Sequence, residues 1–187
     1  MDAQSTKTAC QLAELYPGLN FVVQMSEPTP QSLKTGNRRI KVDKRARGTA
    51  QTIKNAAVYI LGPRLPGPGA ASNALRHRII SELRAHLGVL RQNPSATLIL
   101  APRVLPESGA VEAGVEMESC LRDLSLLQLS NEREVEMQEL LEAVNSVNDS
   151  AGRLVVVNKL VSRHSATVAL DIKYQPYGNG YQANSHL

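Results

Sequence analysis

The sequence predicts an α/β fold whose sheet is mostly parallel, with an antiparallel C-terminal edge. Three observations carry that expectation. Ala56-Ala57-Val58-Tyr59-Ile60-Leu61 and Thr97-Leu98-Ile99-Leu100-Ala101 are short, near-continuous apolar runs, the pattern of strands buried on both faces of a parallel sheet. Between them, the 73–91 stretch places Leu75, Ile79, Leu83, Leu87 and Leu90 at three- and four-residue spacing, which supplies a crossover helix. Segments 152–160 and 166–174 lie close enough to form a near-hairpin, so the sheet finishes antiparallel.

The other elements follow in chain order. The 6–15 stretch reads as a short helix stopped by Tyr16-Pro17-Gly18, and 19–25 as an apolar strand. Pro28, Pro30 and Gly36 make the 26–37 stretch a loop. Ile40 and Val42 alternate with charges, which suits a half-exposed strand over 39–44, and 51–55 reads as a helical turn. The run Gly62-Pro63-Arg64-Leu65-Pro66-Gly67-Pro68-Gly69 excludes regular structure, because its prolines remove donors and its glycines loosen the chain. The 113–129 and 132–147 stretches read as successive helices with Asn131 as N-cap between them. Residues 1–174 are expected to form one domain, and 175–187, rich in Gly, Asn and Gln, a flexible tail.

Composition narrows the functional classes. The chain of 187 residues is 42% apolar but only 3% aromatic, with no Trp and Phe21 as its lone Phe, so the core is aliphatic. Few aromatic platforms argue against a single-strand nucleic-acid binder, and no nucleic-acid partner is expected. Much of the +4 formal charge sits in the 37–47 segment, which reads either as a phosphate-binding patch or as a charged edge strand that blocks further pairing. Cys10 and Cys120 have no metal or redox spacing and read as small hydrophobes in a reducing compartment. The first residues lack a signal pattern, and no apolar run approaches the ~20 residues of a membrane span. A cytoplasmic protein without membrane contact is expected.

Three segments carry a resemblance to a known family. Leu12-Ala13-Glu14-Leu15-Tyr16-Pro17-Gly18-Leu19-Asn20-Phe21-Val22-Val23-Gln24 is similar to the second α/β step of class I S-adenosylmethionine-dependent O-methyltransferases. Ala56 to Leu61 is similar to their "ADVYLL" strand. The third runs from Thr97 to Glu107 and on through Leu121-Arg122-Asp123-Leu124 to Glu132-Arg133, and resembles the stretch that ends this fold. Order and spacing agree from Leu12 to Tyr174. The resemblance implies a truncated Rossmann-like methyltransferase fold, the C-terminal part of the catalytic domain of a fungal secondary-metabolite type.

By that resemblance, S-adenosylmethionine would be the cofactor and a hydroxyl of a small natural product the methyl acceptor. The family grips the cofactor with a Gly-rich turn after its first strand, and no such turn stands before Thr6. Its ribose-binding acid falls at Met25, and Glu27, two residues on, is the candidate substitute. Its His-Asp base motif, in which carboxylates orient an imidazole that takes the substrate proton, falls at the Pro63–Gly69 run. His77 is the histidine nearest the lost motif and the candidate base; His86, in the same helix, reads as solvated or half-buried. The first orienting carboxylate falls at Pro102, and the second at Glu132, which also reads as a first-turn acid favoured by a helix dipole.

Two functions of different class follow. One is an O-methyltransferase acting on a polyketide-type natural product. The other is a non-methylating relative that serves a biosynthetic pathway as scaffold, partner of a pathway enzyme or cyclisation aid. The family's first strand and N-terminal helical region are absent from the sequence, and the sheet edge that this leaves invites a homo-oligomer or a partner strand.

Overall fold

The computed structural model describes residues 6–26, 36–62 and 74–178. In chain order the elements are α1 (Lys7–Leu15), β1 (Phe21–Met25), β2 (Ile40–Lys44), β3 (Val58–Leu61), α2 (Ala74–Gln92) and β4 (Thr97–Leu100). They are followed by α3 (Ala113–Ser130), α4 (Met137–Asn145), β5 (Gly152–Ser162) and β6 (Ser165–Pro176). Strands β1 and β2 pair in parallel, as do β3 and β4, while β4–β6 and β6–β5 are antiparallel. Parallel strands with an antiparallel C-terminal edge are therefore observed. Among the described residues the strands bond as two sheets, β1-β2 and β3-β4-β6-β5.

The four-stranded sheet holds the larger core. Register places Tyr59 beside Leu98, Leu61 beside Leu100, and Leu98 and Leu100 opposite Ile172 and Leu170, so these side chains share one face. On that face pack Ile79, Leu83 and Leu90 of α2 with Leu140 and Val144 of α4, each at most 2% exposed. The predicted leucine spacing in α2 is this contact surface. Truncating any of these side chains to Ala costs about 2–5 kcal/mol.

The smaller core is Ala9 and Ala13 of α1 against Val23, Met25 and Ile40. Alanines at i and i+4 let the helix sit close to the strands. Helix α1 ends at Tyr16-Pro17-Gly18, and its last carbonyls are taken by Arg39. The guanidinium donates to Ala13 O at 2.6 Å, Tyr16 O at 3.1 Å, Pro17 O at 2.9 Å and Leu19 O at 3.3 Å. A cation at a helix C-terminus is favoured by the dipole as well as by the bonds. Arg45 is 8% exposed and binds Glu82 of α2 at 3.1 Å. Two of the basic residues in the 37–47 segment thus hold the fold together, and β2 lies at a sheet edge.

Three local expectations are corrected. Residues 51–55 form no helical turn. Gln51 N donates to Ala85 O at 3.0 Å and Ile53 N to Gln51 Oε1 at 3.0 Å, so the segment's polar groups are committed outside a helix. Asn131 is the C-cap of α3, with φ 52°, rather than an N-cap. Asn tolerates this left-handed conformation, which turns the chain away before the next helix. That helix begins at Met137, closed by a capping box between Glu136 and Glu139. His86 is neither solvated nor half-buried; it is 1% exposed.

His86 is the middle of a buried polar chain. Its Nδ1 lies 2.7 Å from Glu82 O, so Nδ1 carries the proton, and Nε2 accepts from Gln51 Nε2 at 2.9 Å. The second amide hydrogen of Gln51 goes to Gln24 Oε1 on β1 at 2.9 Å. Tyr59 of β3 packs edge-on against the imidazole, its ring centroid 5.5 Å away, and donates its hydroxyl to Ile53 O at 2.7 Å. Nearby, Gly48 N donates to Glu82 Oε1 at 2.6 Å. Gly48 has φ +69°, and a Cβ there would meet Ser81 Oγ at 2.5 Å, so a larger residue would be strained.

Burial pushes the His86 pKa down from 6.5 to about 4, and the nearby Arg45 charge adds to the effect against the Glu82 carbonyl. The unfolded chain therefore binds a proton that the folded chain refuses between those values. Stability from this group is complete above pH 6.5 and is lost as pH falls toward about 4, with no further loss below. The expected loss is roughly 3 kcal/mol. Urea midpoints of wild type and His86→Gln across that range isolate it, because other carboxyl titrations cancel in the difference. A wild-type curve that runs parallel to the variant's contradicts the assignment.

Candidate functional site

After the Asn131 cap the chain runs extended from Glu132 to Glu136, tied by Leu105 N to Val135 O at 3.0 Å. In-out alternation puts Glu132 and Glu134 inside, each 4% exposed, and Arg133 outside. Glu132 is therefore not a first-turn helix acid. It lines a cavity of about 290 Å³ between the start of α2 and the end of α3, with Leu75, Arg76, Leu127, Asn131, Arg133 and Glu139 among its walls.

The acids of this cavity are mostly committed within the chain. Arg122 of α3 forms a short ion pair with Glu134, whose side chain is 2% exposed. Arg133 lies 3.4 Å from Asp123, and Asp123 also accepts Glu134 N at 2.8 Å. Glu139 accepts Glu136 N at 3.1 Å as part of the helix cap. Glu132 is itself engaged. The cationic residues among its walls are Arg133 and Arg76, the latter one position before His77.

The predicted site residues are not brought together. His77 is exposed on α2 and is not among the residues that line the cavity. One residue along a helix is a rotation of about 100°, enough to move a side chain from wall to solvent. Glu27, and the Pro63–Gly69 run where the base motif falls, lie outside the described residues. Met25 is 3% exposed and packed in the smaller core. A thioether buried there cannot accept hydrogen bonds from ribose hydroxyls, so the described residues do not fit S-adenosylmethionine at that position. Among the described residues no cluster could hold a metal ion. Cys10 and Cys120 are both free, and Cys120 is exposed.

Sequence reasoning missed Arg76 and the Arg122–Glu134 pair. The signal for the pair is the alternation Glu132-Arg133-Glu134, which suits an extended segment with both acids turned inward.

No protein-family model matches the sequence. A transcriptional coactivator of Pseudocercospora fijiensis is 49% identical over 185 residues, 92% of this chain and 49% of the relative. The agnestins biosynthesis cluster transcriptional coactivator of Paecilomyces divaricatus is 46% identical over 187 residues, 94% of this chain and 42% of the relative. The chain thus spans about half the length of the curated relatives it matches. Among solved structures, mitomycin 7-O-methyltransferase superposes with TM-score 0.65 at 18% identity, covering 91% of this chain and 46% of that one. LepI, in its complex with SAH and a substrate analogue, gives TM-score 0.65 at 15% identity over 91% of this chain and 40% of that one. The fold is Rossmann-like and of the methyltransferase type. Its described helices include none long and apolar enough to cross a membrane.

Removing Arg122 leaves the Glu134 carboxylate enclosed without its counter-charge. Arg122→Leu is expected to lower stability by roughly 3 kcal/mol, and adding Glu134→Gln to recover most of it. Chemical denaturation of the three proteins measures both steps; equal losses in the single and double variants contradict the pairing.

Proposed function

We propose that this chain is a non-methylating relative of the methyltransferases that works by binding protein partners in the transcriptional control of a secondary-metabolite gene cluster. The observation that carries this reading is the 49% identity, along 92% of the chain, to a transcriptional coactivator. The site's geometry supports it. Glu132 shares its cavity with Arg76 and other acids, whereas His77 points to solvent and Met25 is part of a core. An orienting carboxylate needs an imidazole to orient. On this reading the polar groups of the old cleft serve stability, and the work is done by surfaces. Its place of action is where the cluster's genes are transcribed.

A second reading is methyl transfer from S-adenosylmethionine to a natural-product hydroxyl, in the cytoplasm, with His77 as base, Glu132 orienting it and Glu27 on the ribose. The TM-score of 0.65 to mitomycin 7-O-methyltransferase favours it. A cyclisation aid for a pathway enzyme shares that support through LepI, whose complex holds a substrate analogue.

Deleting the gene in its host is expected to lower transcripts of the neighbouring biosynthetic genes, and His77→Ala or Glu132→Gln protein to restore them. Calorimetry with S-adenosylmethionine and S-adenosylhomocysteine is expected to show no micromolar binding by the folded protein. Unchanged transcripts on deletion would sink the coactivator reading. Micromolar binding, with product loss in the His77 variant, would establish methyl transfer instead.

A further inference from the structure

Positive charge on this chain is gathered at one sheet edge. Residues 37–54 hold seven Lys and Arg against Asp43 alone, a net +6, which leaves −2 on the rest of a chain whose total is +4. Arg39 and Arg45 are committed to the fold, on the carbonyls after α1 and on Glu82. Arg38, just before β2, and Lys41 and Lys44 within it are exposed. Among the described residues none of these three forms an ion pair. Asp43, the one acid of the segment, is half-buried and lies 3.4 Å from Gln24 Nε2.

The same edge is open in its backbone. Phe21 N donates to Arg39 O at 2.8 Å, and Arg45 N to Met25 O at 2.9 Å. The odd-numbered residues of β2 therefore turn their peptide groups to β1, and the even-numbered ones point theirs away. Ile40 N is taken by Asn37 O at 3.0 Å. The N–H and C=O of Val42 and Lys44 are left directed outward, with no strand beside them among the described residues.

Charge and backbone together name the occupant. Donors and acceptors alternating at strand spacing match a second extended peptide. A nucleic-acid backbone fits less well, because phosphates only accept and would leave the two outward carbonyls without donors. A second copy of β2 would bring the same cations against Lys41 and Lys44 and is disfavoured. Lys41 and Lys44 are three positions apart, so their side chains leave opposite faces of the sheet, one on each side of an added strand. The matching segment carries two carboxylates three positions apart. Uncharged residues stand between them, opposite half-buried Val42 and Asp43.

We infer that the free edge of β2 takes an acidic, extended segment of a partner protein as an added strand, with one carboxylate on Lys41 and another on Lys44. This rests on the reading of the chain as a partner-binding protein. Binding is measured on purified protein and transcripts are measured in the host, so either can fail without the other.

Fluorescence anisotropy of the full chain with a fluorescein-labelled peptide of about eight residues, centred on Glu-Val-Thr-Glu, tests it. Saturable binding is expected with a Kd on the order of 50 μM, weakening as salt is raised. Lys41→Glu and Lys44→Glu change exposed positions, so circular dichroism should match the wild type. Each is expected to weaken binding at least about tenfold. Two further peptides are N-methylated on alternate residues in opposite phase, which removes N–H donors from one edge or the other without changing charge. One is expected to bind as the parent does, and the other at least about tenfold more weakly. No saturable binding, unchanged binding by the lysine variants, or equal binding by the two methylated peptides overturns the inference. So does a DNA duplex that displaces the peptide at a lower concentration than unlabelled peptide does, which would assign the edge to phosphates.

Discussion

The side-chain amide of Gln51 is the contact on which the joining of this fold depends. The described strands form two sheets with no pairing between them, and the cores are separate clusters. A two-stranded sheet with one short helix and five buried aliphatic residues is marginal alone. It is tied to α2 by Gln51, whose side chain spans from Gln24 on β1 to His86 and whose N–H donates to Ala85 O, and by Arg45 and Gly48 N on Glu82. These groups are buried, so each lost bond leaves an unsatisfied group that costs about 1–3 kcal/mol. The same geometry explains why the imidazole stays neutral. A proton on Nε2 would point an N–H at the amide N–H of Gln51, and burial already disfavours the charge.

Much of the architecture is legible in the sequence because strand and helix periods are local. The runs at 58–61 and 97–100 are strands, and the leucine spacing of α2 is its buried face. What misled was chemistry with two readings. Asn131 suits both an N-cap and a left-handed C-cap, and only the extended path of 132–136 decides between them. His86 occupies a polar-looking position, and its side-chain partner Gln51 lies 35 residues away, a distance over which no period carries information. The candidate site was legible in part. Glu132 does line a cavity, but the helical phase puts Arg76 there and His77 outside, and a one-residue difference of phase is finer than a spacing argument resolves.

The cleft and α3 share a boundary, and their charges explain each other. Arg122 and Asp123 sit on one helix and reach across to Glu134 and Arg133 in the segment after the cap. Those pairs close the cleft's wall from the side of α3. They also draw the helix's charges away from its outer face.

An enzyme of this fold gains from a cleft whose polar groups await a ligand, unpaired and pre-aimed. Here the buried acid Glu134 is neutralised by an arginine of the same chain, and Asp123 accepts a backbone N–H of the segment it supports. Such groups cannot also turn to a substrate without giving up bonds worth about 1.5–3 kcal/mol each. The outer surface has the opposite character. Among the described residues Leu121 and Leu124 stay 58% and 50% exposed, so covering them would bury apolar area without breaking a bond. Among the described residues, then, the polar groups of the cavity are held by bonds within the chain, while the outer face of α3 keeps apolar area open to burial.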